Sequence, residues 1–522
     1  MSSESNRRIA KNTSMLYFRM LITMAVSLYT SRIVLNTLGV TDFGIYNVVG
    51  GLITMFGFLN SSMASATQRF LSFELGMKNY LQLGRVFSMS LNIHLIIALL
   101  ILLLGETVGL WFVNTQLTIP AERMAAANWV YQFSVLAFMV NVVSVPYNAT
   151  IIAHERMNIY AWVSIIEVSL KLLVVFMLQW FGFDKLKFYA VLIFLVSLFI
   201  RIIYGIYCKR NLLETKYQLF WDRTLFYTLF NYAGWNLWGN AAGVLHGQGV
   251  NILLNIFFGP VVNAARGIAY QVMGAVNGFV QNFQMAMNPQ IIKSFALGDI
   301  RYMHQLILQG AKYSFFLIFI LSLPILLETE TILRLWLKIV PEYAVIFTQL
   351  VIINILIDSI SGPLMTAAQA SGKIKIYQGV VGGLLLLILP LSYLFIKLGH
   401  PPQVTIYISI VISMAALYAR LLILRGLVKI NIKDFLSKVL FRCILVVSVA
   451  LILPLCVNLI LEESVTKFIL VTSAAFLSAP FAVYIYGLNK IERLYFLSII
   501  KKLANYKNSW FYDNFDNNEK IH

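Results

Sequence analysis

Runs of about 20 apolar residues alternate along this chain with short polar breaks, and that is the length at which a helix crosses the hydrocarbon layer of a bilayer. The runs predict helices over 12–36, 43–66, 86–114, 128–152, 158–181, 188–208 and 225–247, then a stretch 250–289 interrupted near Gly259-Pro260. Further runs at 313–333, 343–370, 376–397, 403–422, 439–460 and 467–488 bring the number to about fourteen. At the interruption, residues to about 258 close the seventh helix and about 262–289 form the eighth. The polar breaks reach about 16–24 residues on one side and about 4–15 on the other, too short for a folded domain outside the membrane. The first apolar run, Ser14 to about Leu35, is too long for a signal peptide and no small-residue cleavage site stands out, so an uncleaved first helix is expected.

Composition narrows the function classes. Of 522 residues, 59% are apolar and 12% charged, where an ordinary soluble protein has about 25% charged. So little charge could not cover the several soluble domains that a chain of this length would form, which excludes a soluble enzyme and a disordered chain. Cys208, Cys443 and Cys456 form no Cys-x-x-Cys or Cys/His spacing, so neither a disulfide framework nor a metal site is expected. No G-x-x-x-x-G-K-[ST] segment occurs. Energy for any work would then come from an ion gradient, a substrate gradient or coupled metabolism, and no cofactor is implied.

The net charge is +18. In a soluble protein that would suggest nucleic acid; in a membrane protein, cytoplasmic loops collect Lys and Arg. Placing both termini in the cytoplasm assigns 27 cations to cytoplasmic segments and 7 to the opposite loops, with six inside helices. Most of the charge is therefore topology, and no nucleic-acid partner is expected.

The chain also matches itself at an offset near 220 residues. Ile33–Gly39 pairs with Ile252–Gly259, Tyr46–Gly50 with Tyr270–Gly274, Phe73–Gly76 with Phe295–Gly298, and Glu106–Trp111 with Glu330–Trp336. The longest match, Asn141–Tyr160 against Asp358–Tyr377, has no gap and places Arg156 opposite Lys373. An even number of helices separates equivalent points, so the two copies run the same way through the membrane, as in transporters with a substrate cavity between repeats. The expected organisation is an N-terminus 1–11, an N-lobe 12–210, a linker 211–224, a C-lobe 225–425, two further helices within 439–488 and a tail 489–522.

A charge inside the hydrocarbon region is costly and turns toward a cavity or a partner. Arg19 lies deepest in the first helix. It either faces a central cavity, drawing an anion such as phosphate by charge-assisted hydrogen bonds, or caps a buried carbonyl or pairs with a neighbouring helix. Arg32 and Arg266, nearer the outer helix ends, are candidates for the same anion, with snorkelling to the interface as the plainer alternative. Glu167 and Lys171 stand four apart on one helix face and either neutralise each other or take part in ion coupling. Asp358, opposite Asn141 in the repeat, is an acid for H⁺ or Na⁺ response or for helix–helix hydrogen bonding. Pro146 and Pro363 hold equivalent places and are candidate bending points.

The block Ser31–Gly76, with its LG-x(3)-FG-IY segment at Leu38–Tyr46, and its counterpart Asn251–Phe283 resemble the bacterial polysaccharide (O-antigen and capsule) flippases. That family belongs to the superfamily of multidrug/toxin extruders, oligosaccharidyl-lipid and polysaccharide exporters. The resemblance covers about residues 7–490 and implies an all-helical, multi-pass protein with two parallel six-helix lobes in a V, plus two C-terminal helices. It implies a place in the bacterial inner membrane, no enzymatic activity, and flipping of an undecaprenyl-pyrophosphate-linked oligosaccharide for O-antigen, capsule or lipopolysaccharide synthesis. The implied partners are that lipid-linked substrate, the bilayer, H⁺ or Na⁺, and polysaccharide polymerase or assembly proteins. The cationic cavity role would fall on Arg19, with Arg32 and Arg266 beside it. A lipid II flippase and a cation-coupled multidrug extruder are the alternatives, and a membrane glycosyltransferase or polymerase fits less well because no long outer loop carries acids.

Overall fold

The structure, a computed structural model, describes residues 2–494 except 55–56, 116, 118, 181–183, 338–339 and 463. Inside the helices it leaves aside the side chains at 2–6, 28, 31–32, 35, 40–41, 44, 47–48, 51–52, 54, 58–59 and 260. The chain forms two compact units, Met1–Ser314 with Pro341–Ile432, and Phe315–Val340 with Lys433–His522. Among the described residues all regular structure is helical. That is what hydrocarbon demands, because a helix satisfies every backbone group within its own segment.

The first half of the chain runs through α1 (Ser2–Thr54), α2 (Gly57–Gly76), α3 (Tyr80–Leu104), α4 (Leu110–Thr115), α5 (Met124–Ala153), α6 (Met157–Trp180) and α7 (Lys185–Asn211). The second half repeats the order with α8 (Arg223–Phe258), α9 (Pro260–Ala296), α10 (Ile300–Leu327), α11 (Thr329–Leu337), α12 (Ala344–Ser359), α13 (Ser361–Ser371), α14 (Lys375–Lys397) and α15 (Val404–Leu427). Then follow α16 (Ile432–Phe435), α17 (Phe441–Ile460) and α18 (Val465–Ala482). Eleven helical stretches among the described residues are long and apolar enough to cross a membrane. The protein is thus a multi-pass membrane protein, while length and hydropathy do not establish the expected fourteen crossings. α9 falls outside the eleven because Asn263, Arg266, Gln271, Asn277 and Gln281 dilute its apolar residues.

The repeat appears in the backbone at matching points. Gly39 breaks α1 with φ 80°, ψ 168°, and Gly259 separates α8 from α9 with φ 78°, ψ −176°. The α2–α3 turn has Lys78 at φ 54° and Asn79 capping Gln82 N–H at 3.2 Å; the α9–α10 turn has Gly298 at φ 72° and Asp299 capping Tyr302 N–H at 3.1 Å. These two turns superpose at an offset of 220, so the sequence match of Phe73–Gly76 to Phe295–Gly298 is two residues out of register. The α5–α6 and α13–α14 turns agree with the sequence: Glu155 has φ 60° and Gly372, 217 positions later, φ 73°.

The two equivalent prolines do different things. α5 continues through the buried Pro146, whereas between α12 and α13 the helical hydrogen-bond pattern is interrupted at Ile360, three residues before Pro363, with Ile360 still at helical dihedrals of φ −65° and ψ −25°. Proline lacks the N–H that Ser359 C=O would accept and its ring displaces that carbonyl. Gln284 Nε2 of α9 donates to it instead, at 3.2 Å. Gly362 makes the room, since a Cβ there would stand 2.3 Å from Gln284 Oε1.

In the first unit, two apolar clusters lie inside the first half. One surrounds Val174, Leu178 and Tyr204, the other Val49, Val130 and Val135. A third joins the halves, with Phe70, Phe87 and Met89 packed on Leu229 and Tyr232 of α8. In the second unit, α17 and α18 pair through Ser478 Oγ–H to Ala450 C=O at 2.8 Å. There Arg442 pairs with no acid among the described residues and donates to Gly487 C=O at 3.2 Å.

Candidate functional site

The start of α1, the α2–α3, α5–α6, α9–α10 and α13–α14 turns, and the linker after α7 carry the Lys- and Arg-rich segments and form a basic face. The halves of the first unit are joined near this face. About two turns of α1 beyond Lys11, Arg19 Nη2 donates to Asn282 Oδ1 of α9 at 2.9 Å. Its guanidinium also lies over the Tyr160 ring, 5.0 Å from the centroid, and its Nε is buried without a partner. Among the described residues no carboxylate pairs with it. Asn282 is itself anchored, donating to Gly278 C=O at 2.8 Å. Beside this contact Tyr17 meets Phe279 edge-on, ring centroids 5.5 Å apart.

Beyond that contact α9 exposes Ala264, Gly267, Gln271, Gly274, Ala275 and Gln281 along one stripe, with Val261 the one large apolar residue exposed, at its far end. Lipid-facing stripes look different: α3 exposes Leu95, Leu99 and Leu103. Small residues and amides at helical spacing describe a face that meets water or a polar ligand rather than acyl chains.

Closer to the basic face two polar crossings tie the halves. Arg69 of α2 is buried and donates from Nε to Gln369 C=O at 3.1 Å and from Nη2 to Ala370 C=O at 3.0 Å. The phenyl rings of Phe70 and Phe73 and the Tyr232 ring surround its guanidinium. Glu155, its side chain 1% exposed, accepts from Lys293 Nζ and Gln290 Nε2 of α9. Arg8 Nη1 lies 3.6 Å from the same carboxylate. Between these crossings Gly76 of α2 abuts α9, where a Cβ would come 2.8 Å from Ala296 Cβ. Gly76 and Ala296 are equivalent at the 220 offset, so the axis relating the halves passes between them.

The other expected site residues are scattered. Arg32 lies in α1 with its side chain outside the described residues. Arg266 is buried inside the second half, 4% exposed, so it does not snorkel to the interface. It donates to Asn251 Oδ1 and, at 3.1 Å, to Tyr270 Oη, and it too has no carboxylate partner among the described residues. Sixteen positions of α9 separate it from Asn282, about 24 Å along a helix, so the structure does not bring Arg266 and Arg19 together. Lys171 Nζ pairs with Glu167 Oε1 at 2.6 Å. The pair lines a cavity of about 460 Å³ inside the first half, with Tyr46, Ser134, Asn141 and Ser197. Asp358 lies in the second half, accepting from Asn354 Nδ2 at 3.1 Å and from Ser413.

Two charged groups outside the spans frame the first half. At the face opposite the basic one, Arg123 bridges Asp42, at 2.5 Å, and Asp184, at 3.0 Å. Burial raises the Asp184 carboxyl, but Arg123 and the N–H groups of Lys187 and Leu186 outweigh it and hold it below its usual range. On the linker, burial likewise opposes ionisation of Glu214, and the hydrogen bond with His154 together with the charge of Arg156 keeps it below the ordinary value.

Arg69, Glu155, Asn282, Gln290 and Lys293 do not stand out in the sequence, where Arg69 and Lys293 count only as loop charge. One signal was present. In the longest repeat match, an acid in the first copy stands where the second has Gly372.

No protein-family model matches the sequence, and no curated protein matches it either. Solved structures do share its fold. An outward-facing multidrug resistance MATE family transporter of the MOP superfamily superposes with a TM-score of 0.71 at 11% identity, over 81% of this chain and 96% of that one. The Vibrio cholerae MATE transporter VcmN in its bent form gives 0.68 at 16%, over 82% and 98%. A MOP superfamily transporter from Pyrococcus furiosus Vc1 (DSM3638), described as having a binding pocket of reverse polarity that suggests a different function, gives 0.68 at 12%, over 81% and 96%. The chain has the fold of the MATE transporters.

Proposed function

We propose that this protein flips an undecaprenyl-pyrophosphate-linked oligosaccharide across the bacterial inner membrane by alternating access, with the basic face in the cytoplasm. The observation that carries this reading is Arg19: a guanidinium at the contact between the halves, held by a neutral amide and with no carboxylate partner among the described residues. A pyrophosphate offers charged acceptors, whose hydrogen bonds to guanidinium are about twice as strong as those of a neutral group. When the halves part and Asn282 withdraws, an anionic headgroup takes its place on Arg19. The stripe of small residues and amides on α9 suits sugar hydroxyls, for which Gln271 and Gln281 supply both donors and acceptors.

Lipid II, also a pyrophosphate-linked glycolipid, fits the same chemistry. A cation-coupled multidrug extruder shares the fold, but a cationic drug would meet Arg19 in a first helix with no acid between Glu4 and Asp42. The 27-to-7 distribution of cations supports cytoplasmic termini.

Deleting the gene and assigning lipid-linked oligosaccharides to each leaflet tests the function. Accumulation on the cytoplasmic leaflet with loss of surface polysaccharide is the expected result, and an unchanged distribution overturns it. For Arg19, complementation with Arg19→Lys retains part of the surface polysaccharide and Arg19→Ala loses it. Full restoration by Arg19→Ala at normal protein level removes Arg19 from the anion path.

A further inference from the structure

We infer that Glu155, with Lys293 and Gln290, is the latch that holds the two halves of the first unit together at the basic face and must release for that face to open. The inference rests on the transport reading above, but its measurement needs no cargo.

Four observations converge on this contact. The Glu155 carboxylate is almost wholly buried and faces a cation and an amide from the other half. A buried charge pair is held strongly only while both partners are present, and removing one leaves the other desolvated and uncompensated. The turn that carries Glu155 is braced against its own half: Asn12 Nδ2 of α1 donates to Glu155 C=O at 3.0 Å, and Arg156 Nη1 donates to Tyr207 Oη of α7 at 2.8 Å. His154 pairs with Glu214 of the linker that leads into the second half. The acid is therefore presented by a rigid turn, so its pairing reports how the halves sit at this face.

The backbone adds a further argument. Glu155 has φ 60°, a conformation unfavourable for a side chain with a Cβ. The same position in the second half is Gly372, which has the identical turn without strain. Gly372 is required there for a different reason, because a Cβ would stand 2.9 Å from Arg69 Nη2. Thus one copy of the turn receives an arginine from the other half through carbonyls, and the other copy sends a carboxylate out. Lys78 and Gly298 show the same side-chain-for-glycine difference at the α2–α3 and α9–α10 turns, so the positive φ is a feature of these turns, and it is the buried pairing with Lys293 and Gln290 that sets Glu155 apart.

The test is a distance measurement by pulsed electron paramagnetic resonance on the full-length protein in lipid nanodiscs. Labels are placed through Lys209→Cys and Leu297→Cys, both exposed and on opposite halves near the latch, in a Cys456→Ser background; Cys208 and Cys443 are buried. The unaltered latch gives mainly the short distance. Lys293→Met and Glu155→Gly each raise the ratio of long to short distances by roughly tenfold or more. Glu155→Gly relieves the turn's strain while deleting the carboxylate, so a folding defect does not confuse its result. The exchange Glu155→Lys with Lys293→Glu returns the distribution toward the short distance. Unchanged distances in Lys293→Met and Glu155→Gly overturn the latch. A shifted distribution in a protein that flips no oligosaccharide keeps the latch and sinks the cargo.

Discussion

Gly39 and Gly259 hold the same backbone conformation, φ 80° with ψ 168° and φ 78° with ψ −176°, at matching points of the two halves. This region of φ/ψ space is open essentially to glycine alone. A Cβ at either position meets no described atom within 4 Å, so among the described residues only the backbone opposes a side chain. Gly39→Ala or Gly259→Ala should each lower stability by about 1–3 kcal/mol. The check is the thermal unfolding midpoint of the purified protein in detergent. Because the sites lie in different halves, the double variant should lose the sum of the two, and an unmoved midpoint in both single variants would mean that the breaks carry no strain.

Asp184 links pH to the stability of the first half. Its folded pKa is depressed, so its contribution is present above the unfolded value of about 3.9 and is lost as pH falls through the lower folded value. The unfolding midpoint of the unaltered protein should therefore drop in strongly acidic buffer. Asp184→Asn keeps the helix cap on α7, since asparagine caps as well as aspartate, and removes only the pairing with Arg123. Arg123 and Asp184 are each 28% exposed, so screening limits the effect at neutral pH to under about 1 kcal/mol. If the acid-side drop is as steep in Asp184→Asn as in the parent, the linkage is misassigned.

Glu167 and Lys171 share a cavity within one half. If that acid couples proton movement to transport, Glu167→Gln should abolish the response of flipping to an imposed proton gradient in proteoliposomes. Exchange without a gradient should persist, because the amide keeps the hydrogen bond and the shape. An equal gradient response in parent and variant would assign Glu167 and Lys171 to mutual neutralisation.

Much of this architecture is legible along the chain. The twenty-residue apolar periods, the break at Gly259-Pro260 and the α5–α6 turn's match to the α13–α14 turn are local signals, set by hydrocarbon thickness and backbone sterics. The match of Phe73–Gly76 to Phe295–Gly298 is two residues out of register because apolar helix sequence is degenerate, and only the capped turns at Asn79 and Asp299 locate the true offset. The behaviour of Pro146 and Pro363 was not legible either. Whether a proline bends or breaks its helix depends on a rescuer such as Gln284, 75 positions from the carbonyl it satisfies.

By itself the sequence determines that this chain crosses a membrane many times, that its cations gather on one face, and that one unit is used twice. Each follows from composition and period, which any segment displays on its own. The tertiary structure alone decides which charges have partners. Arg69 is satisfied by carbonyls 300 and 301 positions away, Glu155 by Lys293 138 positions away, and Arg19 by Asn282 263 positions away. Arg266 is consumed within its own half. A buried charge is priced by its surroundings rather than by its neighbours in sequence, and those surroundings exist only once the two copies face each other.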